Sequence, residues 1–487
     1  MPRLPAPAGL RRRFPGPPVR GRIGIRQPVR LLWRPVAADP PRAGGGRGGA
    51  GRNEGSAIDV RYHQVPEPVV LELARGRAGP EAVRLLTAAQ HSKRKLLLRG
   101  LIQVSTPADR VTGAGYALLL AAERADARAV ARVLDYPAVG AWLWHTLKSV
   151  RAGGPRTPVR HIAAVAAAAA LRARVDFTLD IAPGGDLLHL PSLGAVRLPG
   201  RTTEPVVVRA SGGIARITWA DRAIDLPEDL TEPDGVWQPV RRLSLPGDGS
   251  GWHPVLDDLH PSRFPALPVK ERLTEDAFAA WRRSLGAAWS VLRRDHRERA
   301  EEIQAWVRVL VPLAPPRQGW RSASSPELFG CIGWSRMSDP VTLAAALVHE
   351  TQHVKLSALL DVAALVRDDH TDLYYAPWRE DPRPLHGLIQ GIYAHLSLTD
   401  FWRRRRECRP ESLRAHASFA RWREDTRRAC ADALNGAGLH PLGRVFVEEV
   451  ARTLGEWSAE PVPPEAGALA AEESRLHLTR WRRNHAP

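Results

Sequence analysis

Apolar residues recur at helical spacing through the first ordered-looking third of the chain. In Ala78–Gln103, the residues Leu85, Leu86, Ala89, Leu96, Leu97 and Leu101 fall near one face, the pattern of an amphipathic helix. Tyr116–Val133 and Ala138–Val150 continue the period. The Ala-rich segment after Pro158 is a strong helix former, so residues 58–174 are expected to form a helical unit. At Val175 the texture changes to short alternating runs broken by Gly184-Gly185 and Gly212-Gly213, which predicts a small antiparallel β unit over 175–265. Helical spacing returns after Thr274, a predicted N-cap, where Phe278, Trp281, Leu285, Trp289 and Leu292 form a core-type stripe. LFGCIGWS (Leu328–Ser335) reads as a strand, Ser338-Asp339-Pro340 as a helix start, and 341–362 as a helix free of Gly and Pro. Further helices are expected over Pro384–Arg406, Glu411–Asn435 and Leu442–Glu456, with no element assigned to the tail from Pro461. The fold class is α+β, mainly α: a helical N-terminal unit, a small antiparallel β unit, and a helical metal-binding unit over 266–487.

Composition changes this picture at one end. Of the 487 residues 44% are hydrophobic and 25% charged, as in ordinary soluble proteins. The net charge of +18 is concentrated: residues 1–57 hold 12 Arg against Asp39 and Glu54 and are rich in Gly and Pro. That arm cannot bury enough apolar surface to offset its ordering entropy, so it is expected to be disordered. Arg outnumbers Lys by 65 to 5, a bias that weakens any nucleic-acid reading. Cys331, Cys408 and Cys430 lie far apart, excluding a cysteine-rich zinc module and any disulfide framework. No signal-peptide pattern follows Arg11-Arg12-Arg13, and the longest apolar run is ten residues (Ile162–Leu171), too short to span a bilayer. A soluble, cytoplasmic protein is the expectation.

The chemistry is concentrated in His349-Glu350-Thr351-Gln352-His353, an HExxH pentapeptide. On a helix its histidines sit one turn apart on one face and can share a divalent cation. The apolar flanks (Ala344 to Val348, and Val354) point the pair into the core, where unpaired imidazoles would be costly. The longer HExxHxxGxxH form fails, because Leu356 and Leu359 stand where Gly and the third His belong. A third ligand must therefore come from later in the chain. His395, among Ile392, Leu396 and Leu398, ranks first and His386 second; His370, Asp361, Asp372, Asp400 and Glu407 are the remaining candidates. The loop Tyr374–Pro384 between the two helices has the makings of a substrate-facing wall. In it Tyr375 and Trp378 are candidate substrate contacts, and Arg379 and Arg383 could clamp carboxylates.

The segments IGWSRMSDPVTLAAALVHETQHVKLSALLDV and YYAPWREDPRPLHGLIQGIYAHLSLTDFWR resemble the HExxH-motif peptide-modification family, whose members occur beside or fused to radical-SAM maturases in ribosomal-peptide gene clusters. The likeness extends more weakly over roughly residues 58–485. It implies an iron(II)- and 2-oxoglutarate-dependent hydroxylase that acts on the β-carbon of a residue in a precursor peptide. His349 and His353 would then be iron ligands, and Arg379 or Arg383 would hold the distal carboxylate of 2-oxoglutarate. Glu350 would orient a ligand, bind iron or position water. A radical-SAM maturase is a further expected partner, although this chain has no such cysteine triad.

Two other readings stay open on the residues themselves. In a zinc metallopeptidase Glu350 would act as the general base, and the LFGCIGWS strand would bind an extended peptide along its edge. In a non-catalytic scaffold the metal would serve folding, and the abundant Trp would build a peptide groove.

Overall fold

The computed structural model describes residues 62–105, 109–183, 185–198, 205–247 and 251–485; the Arg/Gly/Pro-rich arm over 1–57 lies outside them. The chain begins with α1 (Glu67–Ala74), α2 (Pro80–Val104), α3 (Arg110–Ala125), α4 (Ala127–Leu134) and α5 (Pro137–Arg151), and a 3-10 turn (Thr157–His161) leads into α6 (Ile162–Ala173). The helix expected over 116–133 is two helices. The Asp126 carboxylate accepts from the backbone N–H groups of Arg128 and Ala129, and that local acceptor caps α4 in place of a continuing helix. In α6 every residue from Ile162 to Ala170 is buried, as small side chains permit.

Next come β1 (Phe177–Ile181), β2 (Leu187–Leu190), β3 (Gly194–Arg197), β4 (Val206–Ser211), β5 (Ile214–Trp219), β6 (Arg222–Asp225), β7 (Trp237–Pro239), β8 (Arg241–Arg242) and β9 (Val255–Leu256). Two sheets, β1-β4-β5-β6 and β2-β3-β7, are antiparallel throughout. Gly212 and Gly213 join β4 to β5 with φ of +59° and +85°, the doubly positive turn that glycine supplies without strain.

The C-terminal part comprises α7 (Glu275–Asp295), α8 (Arg297–Trp306), β10 (Val309–Pro312), β11 (Ser322–Ala323), β12 (Cys331–Trp334), α9 (Pro340–Leu360), β13 (Leu373–Tyr374), β14 (Arg383–Pro384), α10 (Leu385–Cys408), α11 (Leu413–Asn435), α12 (Pro441–Glu456) and α13 (Pro464–His485). A mixed sheet of order β11-β12-β10-β9-β8 runs across the expected boundary at 265, with β10 parallel to both β9 and β12. The LFGCIGWS strand is β12, and it is an interior strand. β11 covers the edge that the sequence offered to a peptide, so the free edge belongs to β11. Neither hydrophobic core keeps to one sequence unit: α2 places Leu86 in the C-terminal core and Leu97, Leu98 and Leu101 in the core around α6 and the β sheets. Among the described residues no helix is long and apolar enough to cross a membrane.

Helix α9 is anchored from behind by buried charges. Lys355, fully buried, donates to Glu302 Oε1 at 2.7 Å; Arg299 donates to Glu302 Oε2 at 2.9 Å and to Asp400 Oδ2 at 2.6 Å. Burial pulls the Lys355 ammonium down to about 8 against the opposing pull of Glu302. The network ties α9, α8 and α10 together behind the histidine pair.

Burial also holds three histidines outside α9 as neutral imidazoles: His161, His189 and His296 are each lowered to about 4. The unfolded chain binds the same protons near pH 6.5. Their contribution to stability is therefore complete above about pH 6.5 and is lost as the pH falls towards about 4. Melting temperatures of the chelator-treated protein should be flat from about pH 8 to 6.5 and then drop steeply. A His161→Asn/His189→Asn double variant should show a shallower acid limb.

Candidate metal centre

Helix α9 begins where Asp339 accepts from the backbone N–H groups of Val341 and Thr342 and Pro340 occupies the first turn. Intact helix then carries His349 and His353 one turn apart, with their Nε2 atoms 3.1 Å from each other. Two nitrogens each about 2.0–2.1 Å from one cation stand about 2.9–3.4 Å apart at bond angles between 90° and 109°. The pair has the separation of two ligands on one ion. Gln390 of α10 fixes the tautomer of His353: its Oε1 accepts from Nδ1 at 2.9 Å, while its own amide nitrogen donates to Ser357 Oγ at 3.3 Å. The Nε2 lone pair of His353 is thereby left facing His349. Burial, with His353 alongside, lowers His349 to about 4, so it offers a neutral imidazole at physiological pH.

His395, on α10, lies with its ring centroid 5.2 Å from that of His349. It stacks on Trp378 at 4.2 Å and packs against Trp422 at 4.7 Å. Its Nδ1 donates to Gly391 O at 2.9 Å, and burial together with His349 pushes its pKa well down. Gly391 is required here, because a Cβ would stand 2.3 Å from the Trp378 ring. The three imidazoles line one cavity of about 1150 Å³. Among the described residues no group of three or more His, Cys, Asp or Glu side chains stands in metal-holding geometry. The donors fit a cation as a formed pair with a third neutral ring alongside, and a closed three-donor set would require His395 to shift towards the pair.

The other candidates separate cleanly. His386 is exposed and lies on the wall between this cavity and a neighbouring one of about 820 Å³. His370 bonds the Tyr374 hydroxyl at 2.9 Å. Asp361 is taken by Gln90 and Lys93, Asp400 by Arg299, and Glu407 by Arg403 and Arg404; Asp372 is exposed beside His370. None of His370 and these four carboxylates reaches the cavity wall among the described residues.

Glu350 does face the cavity, but both its oxygens are engaged: Ser322 Oγ and Ser324 Oγ donate to Oε1 and Oε2 at 2.7 Å each. It fastens β11 to α9. Trp378 is on the cavity wall as expected, whereas Tyr375 is not: its hydroxyl meets His477 Nδ1 at 2.8 Å and its ring packs on Trp481, so it docks α13. Arg379 and Arg383 reach the wall, yet they share Asp381, at 2.9 and 3.0 Å. The hydrogen bond from Arg379, joined by that from Arg383, holds Asp381 down at about 2 against the opposing effect of burial.

Sequence reasoning missed Gln390, Ser322 and Ser324, and counted Trp422 only among the tryptophans of a peptide groove. Gly391, buried in α10 between Ile389 and Ile392, was a local sign of a close approach. Replacing Gln390 with Ala should weaken metal binding about 10- to 100-fold, as loss of a ligand-orienting partner does, with little change in melting temperature of the metal-free protein. Competition with a chromogenic chelator measures it. The sequence matches no protein-family model and no curated protein.

Proposed function

We propose that this chain is an iron(II)- and 2-oxoglutarate-dependent hydroxylase acting on the β-carbon of a residue in a ribosomally synthesised peptide. The family and the peptide substrate rest on the sequence resemblance. The choice of oxidation over hydrolysis rests on Glu350. An HExxH peptidase needs that carboxylate free to accept a proton from the attacking water, and here two serine hydroxyls donate into its two oxygens. Three imidazole ligands would leave coordination positions open, which a bidentate co-substrate and dioxygen both require.

In this reading His349 and His353 hold the metal, with His395 as third ligand after a small movement of its ring. Gln390 keeps the His353 proton on Nδ1, and the Gly391 carbonyl does the same for His395. Trp378 and Trp422 set the plane of His395 and exclude water from it. Bound there, iron(II) with 2-oxoglutarate would supply oxygen activation, the chemistry that puts one atom of dioxygen into a peptide C–H bond and the other into succinate with loss of carbon dioxide. The cavity of about 1150 Å³ exceeds the usual size for a small ligand, leaving room for a peptide segment beside the co-substrate.

Mass spectrometry of a precursor peptide incubated with enzyme, iron(II), 2-oxoglutarate and air tests the proposal. A gain of one oxygen on a single residue is expected. Fragments summing to peptide plus water would establish the peptidase instead, and unchanged peptide from metal-loaded protein would leave the scaffold.

A further inference from the structure

Four arginines stand on the cavity wall: Arg321, Arg379, Arg383 and Arg414. An arginine that takes a ligand carboxylate through both arms of its fork needs those arms free of other anions. Arg379 and Arg383 share Asp381. Arg414 donates to Asp339 and to Thr342 Oγ1 at 3.0 and 3.1 Å. Arg321 differs: among the described residues its guanidinium has no carboxylate or hydrogen-bond partner, while its backbone is pinned. Its N–H donates to Ser335 Oγ at 2.8 Å and its carbonyl accepts from the Ser335 N–H at 2.7 Å. The residue is therefore fixed at the start of β11, partly buried, next to the serines that hold Glu350. Among the described residues Glu350 is the one carboxylate on this wall, and those serines already engage it. A partly buried cation on a pinned backbone, with no anion of its own on the wall of this cavity, attracts negative charge. Trp320 beside it, 50% exposed, offers a ring face on which the apolar part of a ligand can lie.

We infer that Arg321 is the carboxylate-binding residue of the cavity, a role the sequence had offered to Arg379 and Arg383. The inference rests on the proposed function only for the identity of the ligand, since the carboxylate can come from 2-oxoglutarate or from an acidic side chain of the peptide. Quenching of tryptophan fluorescence in the full chain, loaded anaerobically with iron(II), separates these sources. One titration uses 2-oxoglutarate; a second uses the precursor peptide with its acidic side chains intact or replaced by amides. Arg321→Gln should weaken one of these ligands roughly 10- to 100-fold, the size of a lost charge-assisted fork. Arg321→Lys should recover part of the loss, and metal stoichiometry and melting temperature should stay unchanged. Weakened 2-oxoglutarate binding assigns the co-substrate, and weakened binding of the acidic peptide alone assigns the substrate. Arg321→Gln protein that binds both ligands as the parent does would overturn the inference. If the parent protein ignores 2-oxoglutarate yet binds the acidic peptide through Arg321, the hydroxylase reading fails and this assignment stands.

Discussion

Substitution of either His349 or His353 by alanine is expected to abolish metal binding and to reduce peptide modification to background. The two imidazoles supply the pre-formed part of the site, with Nε2 atoms 3.1 Å apart, and a single imidazole with His395 cannot replace a helix-templated pair. Elemental analysis after dialysis against iron(II) or zinc should give about one ion per parent chain and none per variant. Metal-dependent stabilisation should vanish in parallel, because an ion that binds the folded chain raises the melting temperature by mass action. A variant that kept its stoichiometry would place the ion elsewhere.

The second large effect is on stability. Glu302→Ala strips the shared carboxylate from Lys355 and Arg299, both buried, and leaves Lys355 the Gly76 carbonyl, at 3.2 Å, as its hydrogen-bond partner among the described residues. Leaving a buried charge without its partner costs about 3–5 kcal/mol, and denaturant unfolding should show a loss of that order with an unchanged slope. The paired change Lys355→Met/Glu302→Leu should cost much less than the single variants added together, because it removes the charges along with the pairing. A double-variant loss equal to the sum of the two single losses would contradict the pairing.

Much of the architecture followed from local pattern. The start of α9 was legible because Asp339-Pro340 carries its own cap chemistry, and the start of α7 because the Thr274 hydroxyl accepts from the Ala277 N–H. The Trp281–Leu292 stripe is buried as its spacing required. What escaped depends on partners distant in the chain. Helix α13 buries only Ala466, Ala470 and His477 among its described residues, too thin an apolar stripe to register against its Arg and Glu. β12 looked like an edge because nothing in LFGCIGWS foretells that Ser322 and Ala323 will cover it.

The site divides the same way. The histidine pair is a property of one helix and could be read directly. The neighbourhood of His395 is made by Trp378 and Trp422 from two other segments. Arg379 and Arg383 could be read from the sequence as carboxylate clamps or as partners of Glu380, Asp381 or helix ends in a rigid loop, and Asp381 takes both. Tyr375 was misassigned for a related reason: its partner, His477, lies 102 residues further on. Arg321 has no motif around it at all, and its interest comes from what it lacks in three dimensions.

Anomalous diffraction from crystals loaded anaerobically with iron(II) addresses the central claim most directly. The account predicts one iron peak per chain in the cavity, bonded to Nε2 of His349 and His353 and to His395, whose ring has closed on the pair. A chain with no iron at His349 and His353 when the metal is saturating, or with iron held at some other group of residues, would contradict it.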